Sequence, residues 1–369
     1  MSESKGLPAT GDTQHEGCMM DPDTETTAAQ LLKPTTLAAL RAVAEFTGSF
    51  LICFAVYAVC SWGRIPAGTS ALEAATTWAL AFLAAGSIFG KFCGAHFNPA
   101  VTFAAMFTAQ IGWIQGLSYI LAQFLGAIAA GGVVVSLLPL TTENDGRAWL
   151  TVAVNGFDKG SPSADMLGKF HLSFNVTLAI VAELIASLIV VAVAITSLRD
   201  DGRPKRGHVW RSAMAYGVAV MITYPVTGAG LNPARSTGIA LFAHGTGLEA
   251  DPISQLPIFI VCPLMAGAVV GLVVILCHMV LDGARAKLDT APESSIDMPA
   301  ALVGGADAPQ ESVHTEAGDE GADAHDTKTD ESRSEDQNSA AEPAGGAMAA
   351  ESGDSSQEQH DAQVGGDQS

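Results

Sequence analysis

Two nine-residue stretches carry the chemistry of this chain: Gly94-Ala95-His96-Phe97-Asn98-Pro99-Ala100-Val101-Thr102 and Gly228-Ala229-Gly230-Leu231-Asn232-Pro233-Ala234-Arg235-Ser236. An asparagine before a proline is a helix start, because the amide caps the first turn and proline has no N–H to lose there. Within a membrane-grade sequence, such a start presents free backbone N–H groups and the positive end of a helix dipole. Set tip to tip, Asn98 and Asn232 can donate to the oxygen of a passing water or hydroxyl, while the paired positive ends disfavour a proton or cation at the same place. This is chemistry of passage and rejection, with no covalent step, no catalytic group and no cofactor.

Three charged residues belong with these stretches. Arg235 is the only one between Arg211 and Glu249, and a charge at membrane depth marks a functional position. Glu45 and Glu183 each interrupt an apolar run, which is costly unless they are paired or hydrogen-bonded. They read either as a proton relay or as acceptors for the irregular backbone that enters each short helix. His96 reads as a loop-bracing or pore-lining residue, with pH sensing as the other option.

The elements that must hold these residues are membrane helices. No Asp, Glu, Lys or Arg occurs between Lys91 and Glu143 or between Asp251 and Asp282, runs longer than the roughly 20 residues a crossing requires. Spans are expected at about 37–60, 74–90, 113–138, 172–198, 211–224 and 253–281, with short apolar helices after each Asn-Pro. The fold class is therefore all-α membrane protein, with six transmembrane helices and two re-entrant half-helices. An irregular backbone at that depth is tolerated where it is buried in protein or lines a wet cavity.

The plan occurs twice. Glu183 follows Glu45 by 138 residues and Asn232 follows Asn98 by 134, with Ser187 matching Ser49, and near-equal offsets indicate a duplicated unit. Three crossings per unit make the repeat inverted and bring the half-helices face to face near the midplane. The chain divides into a polar N-terminus (1–36), a first channel repeat (37–140), a polar extracellular or luminal loop (141–170), a second repeat (171–282) and an acidic tail (283–369). Arg199, Arg203, Lys205, Arg206 and Arg211 crowd one loop and Arg285 and Lys287 follow the last span, which puts both termini in the cytoplasm by the positive-inside rule.

The net charge of −20 says little about partners. From residue 301 onward 17 acids face only Lys328 and Arg333, so most of the charge lies in a tail too polar to bury a core. Thr327, Ser332 and Ser334 are hydroxyls among acids there, and a tail partner is unspecified. A basic surface for nucleic acid is absent. The six cysteines show no metal-site or disulfide spacing.

The paired Asn-Pro-Ala signatures, Arg235-Ser236 and the duplicated glutamates resemble the aquaporin, or major intrinsic protein, family over about residues 37–282. The resemblance implies a homotetramer with one pore per protomer, and the plasma membrane and an organelle membrane are both open as its location. It implies a narrow filter containing Arg235, and distance along the chain carries its other positions to Trp78, Val220 and Ala229. Water channels of the family usually have Phe and His at the first two of these. Trp78 is similar to the glycerol-conducting members, and the quartet is similar to the plant nodulin-type intrinsic proteins. Ser236 and Ala240 stand where glycerol facilitators carry Asp and Lys, and are water-channel choices. Ala229 replaces the cysteine at which some water channels meet mercurials, leaving Cys93 as the thiol nearest a pore loop.

The expected function is a passive channel for water and small uncharged solutes such as glycerol, excluding protons and ions. A water-selective aquaporin is the alternative within the family. A coupled secondary transporter and a junctional membrane protein are the alternatives from other classes.

Overall fold

The computed structural model describes residues 33–62, 69–140 and 146–289. The expectations for most of the N-terminal extension and for the acidic tail beyond residue 289, including Thr327, Ser332 and Ser334, lie outside the described residues.

The described chain is helical. Helices α1 (Pro34–Trp62), α2 (Ala71–Cys93), α3 (Pro99–Phe107) and α4 (Trp113–Ser136) form the first half. Two short helices, α5 (Arg147–Ala153) and α6 (Pro162–Gly168), lie in the connection. The second half contains α7 (Val176–Thr196), α8 (His208–Thr227), α9 (Pro233–Ala243) and α10 (Pro252–Asp289). Each local choice has a cause. Ser70 and Glu73 form a capping box that starts α2, with Ser70 N donating to Glu73 Oε2 at 2.6 Å and Glu73 N to Ser70 Oγ at 3.2 Å. Gly94 and Gly228, at φ +90° and +72°, end α2 and α8 in the left-handed conformation glycine takes without penalty.

Five of these helices, α1, α2, α4, α7 and α10, are long and apolar enough to cross a membrane. Helix α8 has 20 residues and falls short in apolarity, since it carries His208, Arg211, Ser212, Tyr216, Thr223, Tyr224 and Thr227. Much of that polarity faces inward, with His208, Ser212, Tyr216, Thr223 and Thr227 all buried. Large apolar side chains such as Leu80, Ile88, Leu121, Met221, Leu272 and Val273 cover the outside, as a lipid-facing surface requires.

The packing repeats the sequence duplication. Helix α1 lies against α2 and α4 as α7 lies against α8 and α10, while α3 packs on α10 and α9 on α4. Each half-helix is thus held by the last helix of the opposite half. Close approach depends on small residues: a Cβ on Gly126 of α4 would stand 2.3 Å from Phe46 O, and one on Gly238 of α9 2.5 Å from Ala127 O.

The 141–170 connection, expected as a polar loop, is folded into the body over part of its length. Trp149, Leu150, Val152, Ala153, Val154 and Asn155 are all buried. Phe157 N donates to Gln255 Oε1 at 2.9 Å and Gln255 Nε2 to Phe157 O at 3.0 Å, a two-bond ladder that pins the segment to α10.

Candidate functional site at the paired half-helices

Both half-helices begin where the sequence puts them. Asn98 caps α3 through its side-chain oxygen to Ala100 N at 2.8 Å, and Asn232 caps α9 through Ala234 N at 3.0 Å and Arg235 N at 3.3 Å. Pro99 and Pro233 occupy the first helical positions. The caps are then tied to each other. Asn98 Nδ2 donates to Leu231 O at 3.0 Å, and Asn232 Nδ2 donates to Phe97 O at 2.8 Å. The two positive helix ends are therefore locked together by reciprocal bonds.

The chain entering each cap is bent through left-handed positions that are not glycine: Ala95 and Phe97 at φ +55° and +44°, Ala229 and Leu231 at +60° and +51°. Such residues persist only where the surroundings over-determine them. The buried glutamates do this. Glu45 accepts from His96 N at 3.0 Å and Phe97 N at 2.7 Å, with Gln123 Nε2 as a third donor at 2.7 Å. Glu183 accepts from Gly230 N and Leu231 N, both at 2.8 Å, with Thr227 Oγ1 as its third donor at 2.5 Å. Each carboxylate thus holds two backbone N–H groups and takes a side-chain donor besides. His96 belongs to the same brace, since its Nδ1 lies 3.2 Å from Thr102 Oγ1, which also accepts from Gln123 Nε2 at 2.8 Å.

Arg235 is fully buried at the first turn of α9. One terminal nitrogen donates to Asn155 Oδ1 and the other to Ala153 O at 3.0 Å, while its guanidinium lies 5.7 Å from the Tyr57 ring centre. Tyr57 donates in turn to Arg235 O at 2.5 Å. Asn155 is the hinge of this clamp: Ser236 Oγ donates to its oxygen at 2.8 Å and its own Nδ2 donates to Thr227 O at 3.2 Å. Arg235 Nε has no protein partner, which leaves one buried, charged donor free. The arrangement is a fixed cation held through its two terminal nitrogens, with Nε still open to hydrogen bonding.

Trp78, Val220 and Ala229 lie in one buried apolar cluster, together with Phe82, Tyr216 and Leu231. Trp78 stacks on Tyr216 with ring centres 5.2 Å apart and planes 14° from parallel. Cys93 is buried, with its thiol 3.5 Å from Phe89 O.

Sequence reasoning missed Asn155, Tyr57, Gln123, Thr227 and Tyr216. Asn155 lies in a connection whose composition reads as a polar loop, although residues 148–154 just before it, apolar except for Thr151, are the available sign. The other four lie on helices where nothing local distinguishes a bracing side chain from a core one.

Comparison with known proteins identifies the family. Residues 33–274 match the Major intrinsic protein family. Aquaporin Z of Brucella melitensis biotype 1 is 31% identical over 239 residues, spanning 63% of this chain and 94% of that protein. Aquaporin Z of Rhodopseudomonas palustris is 30% identical over 237 residues, 63% of this chain and 90% of the relative. Among solved structures, the aquaglyceroporin from Plasmodium falciparum superposes with a TM-score of 0.50 at 20% identity, covering 64% of this chain and 93% of that one, a likeness of fold.

Proposed function

The chain belongs to the major intrinsic protein family of membrane channels, and we propose that its permeants are water and small uncharged solutes of the glycerol type. The observation that carries this reading is the clamped Arg235. Its guanidinium is bound on one side by Asn155 and Ala153 O, and its free Nε is a donor for a permeant oxygen. A fixed positive charge there, with the positive ends of α3 and α9 deeper in, repels cations while hydrogen-bonding neutral molecules. Trp78, Val220 and Ala229 supply an apolar wall, suited to the carbon face of a polyol.

The glutamates support a passive mechanism over a coupled one. Glu45 and Glu183 spend their acceptor capacity on backbone N–H groups, which leaves a proton relay without a free carboxylate. The same reading includes cytoplasmic termini, from the basic 199–211 segment, and a homotetramer, which native mass spectrometry of the detergent-solubilised protein tests.

Stopped-flow light scattering on proteoliposomes tests the permeants. Wild type is expected to take up glycerol, and Trp78→Phe combined with Val220→His to lose that uptake selectively while keeping water flow. Water efflux without glycerol uptake in wild type would assign the channel to water alone.

A further inference from the structure

The two asparagines are not equally engaged. Asn232 Nδ2 is bonded to Phe97 O, whereas Asn98 Nδ2 has two acceptors, Leu231 O at 3.0 Å and the hydroxyl of Tyr216 at 2.9 Å. Both amide hydrogens of Asn98 are therefore taken up within the protein. The sequence places Tyr216 one helical turn before Val220 on α8, as Trp78 stands one turn before Phe82 on α2. Helices α2 and α8 pack together, so these two stripes meet. Tyr216 stacks on Trp78 and lies 5.0 Å from Phe82, whose ring is 5.8 Å from Phe97 in edge contact.

Tyr216 thus joins the apolar wall at Trp78 to the asparagine at the half-helix tip. Trp78, Phe82, Tyr216, Val220, Ala229, Asn98 and Asn232 are each no more than 2% exposed. Little accessible surface is left around the Asn98 amide, and Tyr216 is the side chain that bridges these residues.

We propose that Tyr216 is a specificity-determining residue of the channel: its hydroxyl stands in for a permeant oxygen on Asn98, and its ring closes the passage until a permeant displaces it. The inference rests on the channel reading above. A water or alcohol oxygen that replaces the phenol accepts the same Asn98 hydrogen, so the buried donor is never left unsatisfied. A molecule without an acceptor opens the site only at the cost of a bare buried N–H. The stacked Trp78 ring holds the closed position by an additional aromatic contact. Opening requires rotation of one side chain and leaves the half-helices fixed.

The test uses full-length protein reconstituted at measured density, comparing water efflux and glycerol uptake for wild type, Tyr216→Phe and Tyr216→Leu. Tyr216→Phe loses only the bond to Asn98, and water permeability per protomer is expected to rise about threefold. Tyr216→Leu also removes the ring, and glycerol uptake is expected to rise by about tenfold, more than water does. Equal fluxes in all three proteins, well above empty liposomes, would overturn the proposal and leave the channel reading standing. No flux above empty liposomes in any of them, with the proteins monodisperse, would overturn both. Should Tyr216→Leu fail to fold, Tyr216→Phe decides alone: unchanged water permeability rejects the role of the hydroxyl.

Discussion

The two halves of the molecule share a backbone and differ in what they hang on it. Entry into α3 and entry into α9 use a glycine, two left-handed residues, an asparagine cap and a glutamate bonded to two backbone N–H groups, all at matching positions. Yet the third residue after the cap is Val101 in one half and Arg235 in the other, and the fourth is Thr102 or Ser236. Thr102 accepts bonds from Gln123 and lies against His96, which knits the first half to itself. Ser236 donates to Asn155 and so helps hold the guanidinium. Symmetry serves the scaffold, because both half-helices face the same problem of buried backbone donors. Asymmetry falls on the residues after the caps, and under the proposed reading it serves the permeant, because only one mouth then carries a charge.

The strongest way to break this comparison is to attack the shared part. Glu45→Leu and Glu183→Leu each strand two buried backbone N–H groups, and each is expected to cost roughly 4 kcal/mol. Thermal unfolding in detergent should show the two losses to be alike; a gap of more than about 2 kcal/mol would mean the braces are not equivalent. Next comes the asymmetric part. Arg235→Val gives the second half the residue of the first, and proton leak measured with an entrapped pH dye is expected to rise by about tenfold. Unchanged leak would show that the half-helix ends exclude protons unaided.

Smaller effects sharpen the same contrast. Asn155→Ala removes one acceptor from the guanidinium and is expected to lower stability by about 2 kcal/mol, with glycerol uptake less selective. If uptake and melting are both unaltered, Ala153 O suffices to orient Arg235. Thr227→Val keeps the side-chain shape and removes one of the three donors to Glu183, an expected loss of about 1 kcal/mol by the same melting assay. A loss as large as that of Glu183→Leu would make the hydroxyl, and not the backbone pair, the principal partner.

What the chain makes legible is what it writes locally. The Asn-Pro caps and the doubled glutamate motif are short patterns at near-equal offsets, and in the structure the asparagines cap both half-helices and the glutamates take the acceptor role, one of the two that the sequence allows. The family match confirms the channel class that those patterns pointed to. The partners of the site are a different matter. Asn155 reaches Arg235 across 80 residues, Tyr57 reaches it across 178, and Tyr216 reaches Asn98 across 118. A tyrosine on an apolar helix has the same local appearance whether its hydroxyl meets lipid headgroups, another helix or a cap. Only the packing of α2 against α8 decides it. The buried part of the 141–170 connection was hidden for a related reason: its polar flanks outweigh its apolar middle in any composition-based reading.

The reciprocal bonds between the caps bear on how the protein is made. Asn98 must wait for Leu231, and Phe97 for Asn232, so the first re-entrant segment emerges more than 130 residues ahead of the groups that complete it. At the usual pace of about 5–20 residues per second, that is an interval of about ten seconds. During it the nascent first half has a carboxylate to tether its bend but no opposing tip to close against. Slowing elongation between the halves lengthens that exposure, so synonymous changes in this stretch should alter the yield of assembled channel without altering a single residue.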